Sequence, residues 1–363
     1  MTPAHWHESY RGRRVLVTGH TGFKGGWLSL WLSELGADVS GYSLAPWTDP
    51  NIFTAAGIAG RVRHTEGDVR DLTAFRRAWK ACRPDVVFHL AAQPIVRESY
   101  RNPVETVTTN VVGTTHVLEL TRESDRPIAV VCVTSDKCYD NVEWAHGYRE
   151  DDRLGGADVY SGSKAAAELV VSSYRRSFFN AVDSPAVASA RAGNVIGGGD
   201  WAADRLVPDC VRALVAGRRI EVRHPHAVRP WQHVLEPLSG YLALGSVLQR
   251  RDPEGMAARG PWNFGPTIPN ARSVGAVVAG VIREWGAGEW RQLPEDGAGH
   301  EATLLRLAID KAQMRLGWCP RWDFDEAIHY TTEWYKAYYA GGDVAACSLA
   351  QIAEYSKREV SLA

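Results

Sequence analysis

A tyrosine and a lysine four residues apart are the side chains in this sequence best suited to proton transfer. In the run YSGSK, from Tyr160 to Lys164, the phenol and the ammonium group would share one face of a helix. A neighbouring cation favours the ionised phenol and lowers its pKa, so we expect Tyr160 to accept a proton from a hydroxyl group. Thr134 ends an apolar run and is expected beside this pair, at the end of a strand.

A glycine-rich run between a strand and a helix predicts a phosphate-binding turn. Gly19, Gly22 and Gly25 recur at three-residue spacing, after the apolar run RRVLV and before a segment with helical periodicity. The first glycine permits a tight turn, the second lets a pyrophosphate approach the backbone, and the third lets helix and sheet touch. This context predicts dinucleotide binding, with Lys24 either near the phosphates or solvated at the start of the helix.

The end of the second strand indicates which dinucleotide is bound. An acidic residue there would bind the ribose 2′-hydroxyl of NAD, whereas an arginine would pair with the 2′-phosphate of NADP. The run YSLA, from Tyr42 to Ala45, contains neither, and Asp38 lies at the opposite end of the strand. Because no basic residue is there, NAD is favoured as the cofactor.

These residues must be positioned by strands that alternate with helices. Apolar runs typical of strands lie at 13–19, 37–43, 84–92 and 127–135, and helices are predicted over 104–121 and 160–178. Regular alternation predicts an α/β fold, with a Rossmann-type, doubly wound parallel sheet that is covered by helices on both faces.

The alternation weakens after Arg191, where glycine, proline and tryptophan become frequent. We expect loops over a cleft there, with short helices at 206–216 and 237–248, forming a smaller C-terminal substrate-binding lobe. The predicted domains are 1–190, mainly a dinucleotide-binding domain with the reactive residues; 191–340, mainly the substrate lobe with some segments returning to the core; and 341–363, a tail without an assigned role.

Composition excludes several classes of protein. The 363 residues carry a formal net charge of −1, so the chain has no overall electrostatic footprint for nucleic acid. No apolar run approaches the roughly 18 residues of a membrane span, and the N-terminus does not resemble a signal peptide. The six cysteines are scattered without a CxxC pair, so neither a metal site nor a disulfide framework is expected. We therefore expect a cytoplasmic protein.

Longer runs extend these motifs into a family resemblance. They are TGHTGFKGGWLSLWL, GDVRD, FHLAAQP, TSDKCYDN, YSGSKAAAEL, RAGNVIGGGDWAADRLVPD, RPWQHVLEPLSGY and WNFGP. With them the sequence resembles the extended short-chain dehydrogenase/reductase family over nearly its whole length. TSDKCYDN and RAGNVIGGGDW are the most specific runs, and they point to the branch of sugar-nucleotide 4,6-dehydratases that acts on CDP-glucose.

The resemblance implies NAD-dependent dehydration of CDP-D-glucose or a related sugar nucleotide. The C4 hydroxyl is oxidised, water leaves across C5 and C6, and the hydride returns to C6. Tyr160, held by Lys164 and Thr134, would be the base at C4. Asp136 would be the acid at C6 if burial raises its pKa. Lys137 would be the base at C5 or would stay charged and stabilise the enolate, and a merely structural Asp136–Lys137 pair is the alternative.

The resemblance also implies which residues contact the ligands. Those expected along NAD are Gly19, Thr21, Gly22, Phe23, Lys24, Gly25, Asp68, Val69, Leu90, Ala91, Ala92, Gln93, Thr109, Thr134, Tyr160, Lys164 and Arg191. Those expected at the sugar nucleotide are Asn194, Arg205, Arg229, His233, Asn263 and Arg306, with Arg191 and Asn194 between the two ligands. For His233 and Asn263 a satisfied structural role is the alternative. Family members pair through a four-helix contact, so a homodimer is expected.

Two other functions fit part of the same pattern. A sugar-nucleotide epimerase or ketoreductase would also use Thr134, Tyr160 and Lys164, but it would not need the Asp136–Lys137 pair. A non-catalytic NAD(P)-sensing protein typically lacks the tyrosine or the lysine, and both are present here. The identity of the nucleotide base depends on loop geometry and is left open by the sequence.

Overall fold

The predicted parallel sheet is present in the structure, a computed structural model that describes residues 3–267, 271–293 and 304–358. Thirteen strands are seen in these ranges. They are β1 (Arg14–Thr18), β2 (Asp38–Ser43), β3 (Arg63–Glu66), β4 (Val86–His89), β5 (Ala129–Val133), β6 (Ala186–Arg191), β7 (Val195–Ile196), β8 (Ile220–Val222), β9 (Val228–Pro230), β10 (Gln232–His233), β11 (Gly260–Asn263), β12 (Ala271–Ser273) and β13 (Trp290–Gln292).

Seven of these strands form one sheet in the order β11-β6-β5-β4-β1-β2-β3. Every neighbouring pair in it is parallel. The order reverses between β1 and β4, and open α/β sheets bind their ligands at such a switch point, beyond the carboxyl ends of the strands. The predicted Rossmann-type, doubly wound sheet is confirmed.

Helices cover both faces of the sheet. They are α1 (Phe23–Glu34), α2 (Ile52–Ala55), α3 (Leu72–Cys82), α4 (Val96–Arg101), α5 (Pro103–Val107), α6 (Gly113–Arg122), α7 (Val159–Phe178), α8 (Leu206–Val215), α9 (Leu235–Leu248), α10 (Pro253–Ala257), α11 (Val274–Trp285), α12 (Asp310–Leu316), α13 (Phe324–Tyr339) and α14 (Val344–Lys357). Helices α3, α6 and α7 pack on one face, and α1, α9 and α14 lie on the other. None of the described helices is both long and apolar enough to cross a membrane.

The smaller lobe consists of short elements after β6. The strand pairs β7–β10, β9–β12 and β8–β13 lie there together with α8 and α11. However, β11 returns to the main sheet beside β6, and α9 packs beneath β5 and β6. The predicted boundaries between the lobes, at residues 190 and 340, therefore stay a prediction.

The C-terminal segment, which had no predicted role, packs into the core through one face of α14, whose last buried residue is Tyr355. Helix α14 packs against α1, where the rings of Trp31 and Tyr355 meet edge to face with centroids 5.7 Å apart. The Tyr355 hydroxyl donates to Glu236 of α9 at 2.7 Å. Glu236 also accepts the backbone N–H of Trp322 at 2.7 Å. One buried carboxyl group therefore connects α9, α14 and the loop that contains Trp322, next to α1.

Glu236 generates a prediction about stability. Burial raises the pKa of Glu236 from 4.5 to about 7, despite the hydrogen bonds that it accepts. Because the folded state holds this proton more tightly than the unfolded chain does, stability should fall as the pH rises through that window, by roughly 3 kcal/mol. We expect the change in Tm caused by Glu236→Gln to be more favourable at pH 8 than at pH 5, and Glu8→Gln at an exposed site to show no such trend. An equal effect of E236Q at both pH values would contradict this account.

Candidate active site

The glycine turn has the geometry that its spacing predicts. Gly19 has φ +76°, and a Cβ atom there would lie 2.7 Å from the backbone nitrogen of Ala91. At Gly25 a Cβ atom would lie 2.1 Å from the carbonyl oxygen of Gly19. At Gly22 the nearest atom would be 3.4 Å away, and no side chain caps the helix that begins after it. The turn therefore presents uncovered backbone and the free N–H groups of a helix start, which fit a pyrophosphate.

The end of β2 is polar but uncharged. Thr21 Oγ1 lies 2.8 Å from Ser43 Oγ and donates to the carbonyl of Leu44 at 2.9 Å. Asp68, in the loop after β3, is paired with Arg70 at 2.6 Å, so the nearby arginine is already neutralised. The neighbouring Val69 is buried beneath α6. This surrounding suits ribose hydroxyl groups better than a 2′-phosphate.

The turn after β4 is fastened to the helices beside it. Leu90 and Ala91 approach the glycine turn, and the half-buried Ala92 follows them. The Gln93 side chain donates to Thr106 at 2.8 Å, so it is directed towards α5. Its backbone N–H donates at 2.8 Å to Asn110, which in turn donates to Ser163 of α7 at 2.8 Å.

Asn110 is a positioning residue that sequence reasoning missed. It lies in a π-helical turn, Thr108–Val112, which joins α5 to α6 within the predicted 104–121 helix. Such turns often occur at functional sites, but a one-residue widening of a helix leaves no periodicity that could be recognised in one sequence. Thr109 lies in the same turn and is half-buried.

Tyr160 and Lys164 are both buried at the start of α7, with 7% and 5% exposure. Burial raises the pKa of Tyr160 to about 12, while a hydrogen bond with Ser135 and the charge of Arg205 act in the opposite direction. Burial also lowers the pKa of Lys164 to about 8. The direction is opposite to the expected lowering of the phenol's pKa, because desolvation of the phenolate outweighs the Ser135 hydrogen bond and the charge of Arg205.

Thr134 does not hold Tyr160 as expected. Its hydroxyl donates to Glu168 of α7 at 2.5 Å, whereas the next residue, Ser135, hydrogen-bonds the phenol. Successive side chains at a strand end point to opposite sides, so a shift of one residue exchanges the two roles. The position of Ser135 directly before Asp136 is the signal that could have identified it.

Arg191 is directed away from the cleft, contrary to the expectation that it bridges two ligands. Its guanidinium pairs with Glu168 at 2.8 Å, and the two side chains are only 2% and 3% exposed. The same group donates to the Tyr139 hydroxyl at 2.7 Å, and Tyr139 donates to Asn263 at 2.8 Å. Asn263 is fully buried, so it too supports the wall of the site and does not reach a substrate.

Asp136 lies beside Tyr160, where the carboxyl group has contacts on both oxygens. Ser135 donates to Oδ1 at 2.9 Å, and the Asn194 amide lies 3.4 Å from Oδ2. The carboxyl group is 3% exposed, and its charge contributes to the raised pKa of Tyr160. Lys137 follows it and is half-buried.

Lys24 is half-buried near the charged groups of the site, which favours the alternative that places it near the phosphates. Burial lowers its pKa to about 7, assisted by the charges of Arg205 and Lys164 and opposed by that of Asp136. Its Nζ lies 5.9 Å from the ring centre of Tyr241, a buried residue of α9. Phe23 precedes it and is half-buried.

The remaining predicted substrate residues of the smaller lobe are three arginines, which are at least partly accessible, and a histidine in the core. Arg205 pairs with Asp200 at 2.9 Å and acts electrostatically on Tyr160, so it lies at the cleft. Arg229 is 9% exposed on β9, and Arg306 is half-buried.

His233 is fully buried among aromatic rings, with its own ring centre 4.8 Å from that of Trp322. Burial lowers the pKa of His233 to about 3, which keeps it neutral. Of the two alternatives for His233, the structural role is therefore confirmed and the contact with substrate is wrong, because the ring is part of the core.

The chain belongs to the family described as GDP-mannose 4,6 dehydratase, whose family model matches residues 16–331. The resemblance to extended short-chain dehydrogenases/reductases is thereby confirmed. The chain is 47% identical over 350 residues to the CDP-glucose 4,6-dehydratase of Salmonella typhimurium, covering 95% of this chain and 97% of that protein.

Solved structures support the fold. The epimerase Mth375 of Methanothermobacter thermautotrophicus has a TM-score of 0.77 at 23% identity, over 93% of this chain and 96% of that one. DesIV, a dTDP-glucose 4,6-dehydratase of Streptomyces venezuelae solved with NAD, has a TM-score of 0.75 at 23% identity, over 91% of this chain and 99% of that one.

The space for the Asp136 carboxyl group depends on a glycine. A Cβ atom on Gly193 would lie 1.9 Å from Asp136 Oδ2, so Gly193→Ala must displace the carboxyl group. We expect kcat to fall about a hundredfold, since displacement of a reacting group by about 1 Å costs that much. The fold should be retained, as measured by circular dichroism and NAD binding.

Gly162→Ala is the matched control, because a Cβ atom there meets nothing within 4 Å in the first turn of α7. It should leave kcat unchanged and raise stability by about 0.5–1 kcal/mol. Equal activity of the G193A and G162A variants would show that the position of the Asp136 carboxyl group does not matter for the reaction.

Proposed function

We propose that the protein is an NAD-dependent hydro-lyase that converts CDP-D-glucose into CDP-4-keto-6-deoxy-D-glucose. The observation that carries the proposal is the buried Asp136 carboxyl group, bound by Ser135 Oγ at 2.9 Å and near enough to Tyr160 for its charge to raise the pKa of the phenol. A base for one sugar hydroxyl and an acid for another then lie on one side of the cleft. Identity of 47% over 95% of the chain to a CDP-glucose 4,6-dehydratase supports the same reaction.

The cofactor in this proposal is NAD. When bound, it supplies a hydride acceptor for C4 and later the hydride for C6. Gly19, Gly22 and Gly25 form the backbone cradle for its pyrophosphate. The uncharged end of β2, at Ser43, supports NAD over NADP.

The chain's own residues divide the proton transfers among them. Tyr160 Oη accepts the proton of the C4 hydroxyl, and oxidation there makes the C5 hydrogen acidic. Lys137 then removes the C5 proton or stabilises the resulting enolate, while Asp136 protonates the departing C6 hydroxyl. Lys164, a buried amine close to the charge of Glu168, orients the cofactor ribose.

Arginines of the smaller lobe are proposed to hold the diphosphate. Arg205 is 29% exposed beside the cleft, so it can contact an anion while still paired with Asp200. Arg229 and Arg306 are proposed to complete the site, since planar guanidinium groups suit bidentate contacts with phosphate oxygens. Asn194 is proposed to contact the sugar, as it lies against Asp136.

Alternative functions differ in what happens to the sugar. An epimerase or ketoreductase of the same family would use Tyr160 and Lys164 but would have no task for Asp136. A non-catalytic NAD(P)-sensing protein would have no catalytic role for Tyr160 and Lys164 or for Asp136 and Lys137. The dehydratase accounts for all of these groups, which is why we favour it.

The proposal is tested by mixing the protein and NAD separately with CDP-, dTDP-, GDP- and UDP-glucose and following product mass. We expect the loss of one water from CDP-glucose with no net formation of NADH. Loss of water only from another nucleotide would move the assignment to a different 4,6-dehydratase. Net reduction of NAD, or inversion at C4 without loss of water, would contradict dehydration.

A homodimer is proposed from the apolar surface on neighbouring helices. Val104 on α5 is 74% exposed and Leu169 on α7 is 57% exposed, although α5 and α7 pack side by side. Tyr100 on α4 adds a further aromatic ring at 69% exposure. Contiguous apolar surface of this kind is typical of a protein–protein contact.

We expect the wild-type protein to sediment at twice the 40.0 kDa mass of the chain. Leu169→Glu should shift it towards the monomer, because a carboxylate would be desolvated at the contact. Met314→Glu on α12 is the control, since Met314 is 86% exposed on a different surface. A dimer that withstands L169E would exclude this face as the contact.

A cytoplasmic location is proposed on the basis of the cysteines. All six are free thiols, five of them buried. Thiols persist in reducing compartments.

A further inference from the structure

A buried glutamine, Gln232, connects the loops that leave two neighbouring strands of the main sheet. Gln232 lies on the short strand β10 and is 2% exposed. Its side-chain nitrogen donates to the carbonyl of Gly193 at 3.1 Å and to the carbonyl of Phe264 at 3.2 Å. Gly193 follows β6 and Phe264 follows β11, and these two strands are paired in parallel. One side chain thus joins both loops at the edge of the sheet where the site lies.

The two carbonyl groups determine which end of the Gln232 amide faces them. The NH2 group of an amide has two hydrogens, so it can donate one to each carbonyl oxygen. The opposite orientation would place the amide oxygen against two other acceptors. The amide oxygen of Gln232 is buried and has no partner within the part of the chain that the structure describes. Gln232 therefore acts at this place as a donor, since its capacity to accept is not used.

The backbone that Gln232 holds has an uncommon conformation. Asn194 has φ +51°, in the left-handed region that residues other than glycine rarely adopt. Its own carbonyl accepts the backbone N–H of Gln232 at 3.2 Å, and the preceding carbonyl, of Gly193, accepts from the Gln232 side chain. Both carbonyl groups around the Asn194 Cα atom are therefore bound by the same residue. Such backbone conformations persist where the surroundings hold them, and they occur often at active sites.

Gly193 and Asn194 form the wall against which the Asp136 carboxyl group lies. The Asn194 amide is 3.4 Å from Asp136 Oδ2, and a Cβ atom on Gly193 would be 1.9 Å from the same oxygen. Any shift of this wall therefore moves the carboxyl group or removes its contact with Asn194. A carbonyl oxygen that turned towards the carboxylate would also repel it. The hydrogen bonds from Gln232 oppose both changes.

We propose that Gln232 is a positioning residue for the loss of water from the sugar. By holding the Gly193–Asn194 peptide group, it keeps the Asp136 carboxyl group where it can protonate the departing C6 hydroxyl. This inference rests on the function proposed above, in which Asp136 is that acid.

The role of Gln232 is confined to one half of the reaction. Tyr160, the proposed base at C4, lies on α7, which Glu168 fastens to β5 and β6 through other hydrogen bonds. Oxidation at C4 should therefore depend little on Gln232, whereas loss of water should depend on it strongly.

The test follows a single turnover of CDP-glucose by the NAD-loaded enzyme, with Gln232→Met compared to the wild type. Methionine is an unbranched side chain of similar length that donates no hydrogen bond. We expect Q232M to slow the loss of water by roughly ten- to a hundredfold, as for a displaced reacting group, and to leave C4 oxidation within about threefold of the wild type. Reduced nicotinamide should then accumulate before water is lost, with KM for CDP-glucose unchanged.

Gln351→Met is the matched control, because Gln351 has the same kind of surroundings between α13 and α14, which carry none of the proposed site residues. Gln351 is also 2% exposed, and its amide nitrogen donates to the carbonyl of Tyr330 and the carboxylate of Glu333, both at 2.9 Å. Its amide oxygen likewise has no partner among the residues described. Q351M and Q232M should lower Tm by similar amounts, but Q351M should carry out both steps at the wild-type rate.

Gln232→Glu provides a second variant in case Q232M does not fold. It places an oxygen atom where the donating nitrogen lies, so at least one of the two carbonyl groups loses its donor. Q232E should also accumulate reduced nicotinamide, and wild-type kinetics in this variant would contradict the positioning role.

Three results with Q232M would each overturn the proposal. They are loss of water at the wild-type rate, equal slowing of C4 oxidation and water loss, and an effect on KM alone. If the wild type itself does not dehydrate CDP-glucose, the proposed function fails. A dehydrating wild type with fast loss of water in Q232M overturns the positioning role alone.

Discussion

One buried carboxylate, Glu168, holds the reactive groups in register. It accepts hydrogen bonds from Thr134 at the end of β5 and from Ser189 and Arg191 on β6. An isolated carboxylate in such a place would be costly to desolvate, and three donors, one of them a guanidinium, offset that cost. Four residues earlier on the same helix is Lys164, and one further turn back is Tyr160. The ends of two strands are thus fastened to the helix that carries the phenol.

This attachment explains why Ser135 and not Thr134 reaches the phenol. With Thr134 engaged by Glu168, the strand presents the next side chain to the other side. Asp136 follows in a short turn and occupies the space that Gly193 leaves open. Packing behind the cleft therefore determines its shape. Thr134 and Arg191, which appear reactive in the sequence, hold the walls of the cleft through Glu168.

The sequence predicted the elements and the cofactor turn well because these follow from local patterns. Strands with β-branched runs, helical periodicity and the spacing of Gly19, Gly22 and Gly25 depend on near neighbours only. The predicted helices at 206–216 and 237–248 are present as α8 and α9, the latter beginning two residues earlier. Helix α14 was missed because it is buried against segments remote in sequence, which no local pattern shows.

The residues placed wrongly share a physical reason. Arg191, His233 and Asn263 are polar side chains in characteristic runs, and such residues are found in binding sites and in buried networks alike. Which of the two applies is decided by partners far away in sequence, such as Glu168 for Arg191 and Trp322 for His233. The direction of the Tyr160 pKa shift was wrong for the same reason, since the extent of burial is a property of the whole fold.

The central claim is that Tyr160 and Asp136 act on two positions of one hexose. A crystal structure of the protein with NAD and CDP-glucose tests it most directly. We expect the C4 hydroxyl within about 3 Å of Tyr160 Oη and the C6 hydroxyl within about 3 Å of an Asp136 oxygen. A hexose whose C6 hydroxyl lies beyond the reach of Asp136, even through one water molecule, would contradict the account.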